Sequence, residues 1–138
     1  MSVKVTYFIH GTTTDNEIHR STGWNPGELS ELGIKQSKEV AGLVQGRKFD
    51  AIFCSDLKRA VDSAKLNFPN REIIQDARLR ECNYGDLNGV SSKFVEYTNH
   101  IKTPFPNGES LSDVERRMRD FCKFLLENYG GVNSSCVA

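Results

Sequence analysis

A chain of 138 residues is sized for one domain and can bury a core of its own, so neither metal nor disulfide staples are needed to hold it. Lysine and arginine number 18, as do aspartate and glutamate; the zero net charge argues against a dedicated nucleic-acid binder but leaves room for a local basic pocket. With 38% hydrophobic residues and 11 glycines the composition is that of a globular protein, and no apolar run approaches the ~20 residues of a membrane-spanning helix.

Val3 to Ile9 reads as a first strand, mostly buried, with Val3, Val5, Tyr7 and Ile9 on one face and Phe8 on the other. It stops at His10-Gly11 and gives way to the polar loop Thr12-Thr13-Thr14-Asp15-Asn16. A polar loop leaving a buried strand end is a common place for a site in α/β folds. Residues 20–29 carry Gly23, Pro26 and Gly27 and form a loop. Ser30 is a candidate N-cap for a helix to about Gln45, with Gly46 as its stop. Residues 49–54 form a second strand. Ser55 or Asp56 is placed to cap a second helix, along which Leu57, Ala60, Val61 and Ala64 form an apolar stripe. Ile73 and Ile74 suggest a short third strand, and residues 78–108 are irregular. Ser110 to Asp113 has the spacing of a capping box and opens a last amphipathic helix to about Tyr129. Alternating strands and helices predict a three-layer α/β/α sandwich on a mostly parallel sheet, built by residues 1–138 as a single domain.

Three side chains stand out for chemistry. His10 follows a strand and precedes a glycine, which allows a ligand to come close. Arg59 falls in the first turn of the second helix, where a cation does not complement the helix dipole unless an anion sits between them. Glu81 lies in a loop with Tyr84 nearby, an environment suited to a general acid. Each alone is as well explained by a core histidine, a solvated arginine or a surface carboxylate.

Their order is more specific. Ile9-His10-Gly11-Thr12-Thr13-Thr14-Asp15-Asn16 resembles the Arg-His-Gly-x-Thr-x-x-Asn pattern of the histidine phosphatase, or phosphoglycerate mutase-like, superfamily. Leu29-Ser30 through Gly33 to Gln36 resembles its Leu-Ser-x-x-Gly-x-x-Gln segment. Ser55 to Ala60 resembles Ser-x-Leu-x-Arg-Ala, and Leu79-Arg80-Glu81 through Gly85 and Gly89 resembles Leu-x-Glu-x-x-x-Gly-x-x-x-Gly. Gly108-Glu109-Ser110 with Arg117 resembles a further Gly-Glu-Ser segment and its helix.

The resemblance implies a phosphomonoesterase acting on a small phosphorylated metabolite. His10 would be the nucleophile that becomes phosphohistidine, and Glu81 the proton donor and later the base. Arg59 would hold phosphate oxygens with Gly11, Thr13 and Asn16 nearby. No metal or organic cofactor is implied. Two departures stand against it: Ile9 takes the place of the family arginine, and the chain looks truncated, without the expected C-terminal strand and the second histidine that follows it. His19 and His100 match neither. A missing central strand would leave an unpaired edge that favours a homo-oligomer. The alternative is a non-catalytic relative that binds phosphate esters or a protein partner; a mutase, which needs a closed pocket, is less expected. The absence of a GxGxxG or P-loop motif disfavours a nucleotide-binding domain.

No membrane or nucleic-acid partner is expected. Residues 1–11 lack the pattern of a signal peptide. Cys54, Cys82, Cys122 and Cys136 form no CxxC pair, which points to reduced thiols in the cytoplasm. Specificity should come from residues 82–108, where Phe94, Tyr97 and Phe105 either line a pocket or cover the end of the sheet.

Overall fold

The alternating apolar residues of Ala51–Cys54 settle the layering. In the computed structural model, which describes residues 2–131 and 133–137, this strand (β3) sends Ile52 and Cys54 to one face and Ala51 and Phe53 to the other. All four are buried, as in a strand covered on both sides. Ile52 and Cys54 meet Ala60, Ala64 and the partly buried Val40 and Val61, which come from helices α2 (Glu31–Val44) and α3 (Lys58–Asn67), and Phe68, the residue that ends α3. Phe53 meets Phe121 edge-on with ring centroids 5.4 Å apart, and Leu125 joins the same cluster; both come from α4 (Leu111–Tyr129). The result is the expected three-layer α/β/α arrangement. A third cluster of Cys82, Tyr84, Val95 and Phe105 gives the irregular segment its own small core.

The sheet has the order β1-β6-β3-β4, all parallel, with β1 at Lys4–Phe8, β4 at Ile74–Gln75 and β6 at Asn133–Val137. A two-stranded antiparallel ribbon joins β2 (Arg20–Ser21) to β5 (Val90–Ser91), and a short helix α1 spans Thr14–Glu17.

Three expectations are corrected here. The expected C-terminal strand is present: β6 lies between β1 and β3, pairing Lys4–Phe8 with 133–137 and Ala51–Cys54 with 134–137. The sheet therefore has no gap at that position, and the argument for self-association from an unpaired interior edge does not apply there. Second, β1 is not mostly buried. It is the edge of the four-stranded sheet, and Val5, Tyr7 and Ile9 are 49%, 62% and 74% exposed. Ile9 lies beyond the strand and does not continue a buried run. The cause is the position of α4, whose Phe121 packs over β3 rather than β1. Third, neither Ser55 nor Asp56 caps α3. Its N-cap is Leu57, without a side-chain bond, because Arg80 takes both Asp56 oxygens at 2.6 Å and Ser55 is buried at the strand end. Ser30 and Ser110 do cap α2 and α4.

Candidate active site

The loop after β1 is shaped by α2. Ser30 N–H and Oγ both donate to the Thr12 carbonyl, at 2.9 and 3.2 Å, and Gln36 Oε1 accepts from both Thr12 N–H and Thr12 Oγ1 at 2.9 Å. A side chain at position 33 would put its Cβ 1.9 Å from the Thr12 carbonyl oxygen, so only glycine lets α2 approach this closely. The Leu29-to-Gln36 segment is thus a clamp that fixes where the chain turns after His10.

His10 is half-buried, and its Nδ1 lies 2.7 Å from the Gly11 carbonyl oxygen. A carbonyl can only accept, so Nδ1 carries the hydrogen and the lone pair is left on Nε2. Burial lowers the His10 pKa below the ordinary 6.5; the Gly11 bond and Glu81 oppose the shift, and Arg59 adds to it. The ring therefore stays neutral, and its Nε2 nucleophilic, to a lower pH than a free imidazole.

Arg59 sits in the first turn of α3 and is 3% exposed. Its Nη1 donates to the Asn25 carbonyl at 3.0 Å, and its Nη2 to the Gly23 carbonyl and to Glu81 Oε2, both at 2.8 Å. The anion that makes sense of a cation at this helix end is thus Glu81. The other oxygen of that carboxylate, Oε1, accepts from Tyr84 Oη at 2.6 Å. Burial, together with the neighbouring Glu81 charge, raises the Tyr84 pKa strongly, so the phenol stays a donor. The Glu81 carbonyl accepts from Trp24 Nε1 at 2.9 Å.

Two cavities meet at these residues. One, of about 520 Å³, runs along the open face of β1 and is lined by Val5, Tyr7 and Ile9 and by Met118, Cys122 and Leu125 of α4. The other, of about 270 Å³, is polar and includes His19, Arg20, Thr22 and Tyr97. Both are also lined by His10, Asn16, Arg59 and Glu81.

The remaining predicted residues are placed as follows. Asn16 lines both cavities; its Oδ1 accepts from Thr13 N–H at 3.0 Å, which leaves its amide N–H donors for a ligand. Thr13 is fully buried and caps α1, its Oγ1 accepting from Asn16 N–H at 3.0 Å. Gly11 donates its N–H to Ser63 Oγ at 2.9 Å. Both therefore build the loop, and their hydrogen bonds turn toward the protein. Phe105 is core, stacked on His100, and Tyr97 is the aromatic of that trio that lines the polar cavity.

Residues that sequence reasoning missed are the carbonyls of Gly23 and Asn25, and Trp24; Tyr84, read from the sequence only as an aromatic neighbour of Glu81, is its hydrogen-bond donor. Gly23 has φ +56°, and a Cβ there would sit 1.9 Å from Asn88 Oδ1. The Trp24 indole and the Glu81-to-Tyr84 spacing were the available signals. Among the described residues no group of three or more His, Cys, Asp or Glu could hold a metal ion, and no helix is long and apolar enough to cross a membrane.

The site thus brings a ring nitrogen left free of the Gly11 bond, a fixed guanidinium and a carboxylate together at one end of a parallel sheet. The chain belongs to the histidine phosphatase superfamily, branch 1, whose family model matches residues 8–138. It is 32% identical to a phosphoglycerate mutase of Schizosaccharomyces pombe over 83% of this chain and 62% of that protein. It is 35% identical to a fructose-2,6-bisphosphatase of Xenopus tropicalis over 91% of this chain and 52% of that protein. A mycobacterial glucosyl-3-phosphoglycerate phosphatase, solved with VO3, superposes with a TM-score of 0.81 at 29% identity, covering 96% of this chain and 73% of that one. The chain therefore spans between about half and three-fifths of the length of these curated relatives.

Proposed function

We propose that this chain hydrolyses a small phosphomonoester through a phosphohistidine on His10. The observation that carries the reading is Arg59, a buried guanidinium that already holds one anion, in a cavity shared with a neutral histidine whose Nε2 is free. An arriving phosphate takes over Nη2 from Glu81 and sets a like charge beside that carboxyl, which favours its protonated form. Nε2 of His10 attacks phosphorus as the bond to the leaving oxygen breaks, and Glu81 gives that oxygen its proton. Water then attacks the phosphohistidine, Glu81 takes the proton from the water, and the P–N bond breaks to restore His10. No step calls on a metal or organic cofactor.

The relatives include a mutase as well as phosphatases. Hydrolysis is favoured here because the larger cavity is open along β1, where Tyr7 and Ile9 are exposed, and a mutase must keep its intermediate from water. The unbridged thiols of Cys54, Cys82 and Cys122 fit a reducing, cytoplasmic setting. Burial pushes the Cys54 and Cys82 thiols up to about 11, which leaves them poorly reactive.

A second reading, binding of phosphate esters without turnover, is favoured by Ile9, an apolar side chain lining the cavity beside His10 and Arg59. Hydrolysis of a generic aryl phosphate between about pH 5 and 8 separates the two. Turnover supports the phosphatase; tight phosphate binding by a folded chain without turnover selects the binder.

Two further results are expected. Ile9→Arg should tighten inorganic phosphate binding by about tenfold, the lower end of one charge-assisted hydrogen bond, because position 9 is largely exposed. Calorimetric titration reads this, and an unchanged affinity in a folded variant means that position 9 does not reach the phosphate. In a proton NMR titration of the three histidines, the midpoint of His10 should fall below 6.5, since its buried ring resists protonation. A midpoint at or above 6.5 would remove the argument for a nucleophile kept neutral by burial.

A further inference from the structure

Glu81 lies in a stretch that no helix or strand of the sheet fixes, between a 3-10 turn at Ala77–Leu79 and Tyr84. Two side chains that line neither of the two cavities hold it. Arg117, in the second turn of α4, uses all five of its guanidinium N–H groups there. Nη1 donates to the carbonyls of Arg78 and Arg80 at 2.7 and 2.5 Å. Nη2 donates to the Glu81 carbonyl at 2.9 Å and to Glu109 Oε1 at 3.1 Å, and Nε to Glu109 Oε2 at 2.9 Å. Glu109 completes the clasp: its Oε1 accepts from Asn83 N–H at 2.9 Å and its own N–H donates to the Asn83 carbonyl at 2.8 Å. Both side chains are largely shielded, at 16% and 17% exposure.

We propose that Arg117 and Glu109 are positioning residues for Glu81. They fix the carbonyls of residues 78, 80 and 81 and the amide of 83, so that the carboxyl between them stands over the Arg59 seat. The planar fork is what the task needs. Lysine, a point charge with three donors, cannot span three carbonyls and a carboxylate. The inference rests on the acid–base role proposed for Glu81.

The test compares Arg117→Lys and Glu109→Gln with the unaltered chain on aryl phosphates of graded leaving-group acidity. A displaced general acid slows poor leaving groups by roughly 10²-fold and leaves good ones within a few-fold, and inorganic phosphate binding is not weakened. In a Glu81→Gln background Arg117→Lys should add no further loss. Equal loss on good and poor leaving groups, or an undiminished loss in that background, overturns the proposal. If Glu81→Gln alone shows no dependence on the leaving group, the acid role fails first and the positioning role falls with it. Amide hydrogen exchange gives a readout that does not need turnover. In Arg117→Lys the Asn83 amide should exchange at least tenfold faster while the amides of β3 and α4 keep their rates. Unchanged exchange at Asn83 contradicts the clasp, and faster exchange throughout marks a general loss of stability and also contradicts it.

Discussion

Replacing His10 by alanine should lower aryl phosphate hydrolysis by roughly four to six orders of magnitude, the scale on which loss of a covalent nucleophile is felt. The argument rests on geometry. Nδ1 is committed to the Gly11 carbonyl, so Nε2 is the nitrogen of this ring that can attack. His100 bonds the Thr103 carbonyl and stacks on Phe105, whereas His19 lines the polar cavity with His10, Arg59 and Glu81, so His19→Ala is the control and should keep its activity within about tenfold. The fold should survive, because the hydrogen bonds that shape the turn come from Thr12, Gln36, Ser30 and Ser63 rather than from the His10 ring. Unaltered phosphate binding with activity gone is the expected pair of results. Activity that persists in a folded His10→Ala chain would assign the chemistry elsewhere.

Glu81→Gln should slow esters with poor leaving groups by about 10²–10⁴-fold and good ones far less, since only a poor leaving group needs a proton as it departs. It should also have an opposite effect on binding. The Glu81 carboxylate occupies, at 2.8 Å, the Arg59 Nη2 donor that a phosphate would use. A neutral amide holds that donor less tightly. Inorganic phosphate should therefore bind up to about tenfold tighter, a modest gain because the Glu81 side chain is 41% exposed and the lost pair is partly screened. Slower turnover joined to tighter phosphate binding is hard to obtain from a general weakening of the fold. Equal loss on all leaving groups would remove Glu81 from the acid role, and weaker binding would mean that the carboxyl does not compete with phosphate.

The convergence of His10, Asn16, Arg59 and Glu81 was legible because each lies in a short segment with a recognisable pattern. The layers were legible too, from the stripes of α2, α3 and α4 and the apolar run of β3. What escaped depends on tertiary neighbours. Residues 133–137, Asn-Ser-Ser-Cys-Val, have little apolar pattern and read as a tail; they are a strand because β1 and β3 offer them two edges to pair with. Val5, Tyr7 and Ile9 read as buried because apolar residues fill both faces of the strand end, yet α4 packs on β3 and leaves an open cavity between itself and them. Thr13 has the chemistry of an anion ligand and serves as a helix cap, a choice fixed by Asn16 three residues on. Asp56 looked like a cap and is claimed by Arg80 across the fold. Arg117 was legible as part of a motif, and its reach to three carbonyls became visible only when residues 78–83 folded against α4.

The most direct test of the central claim is to trap the intermediate. The chain is mixed with an aryl phosphate, quenched in alkali, where phosphohistidine survives, and examined by intact and peptide mass spectrometry. The account predicts an increment of one phosphoryl group, labile to acid, on the peptide that carries His10 and absent from His10→Ala. Turnover with no such adduct, or an adduct on another residue, would contradict it.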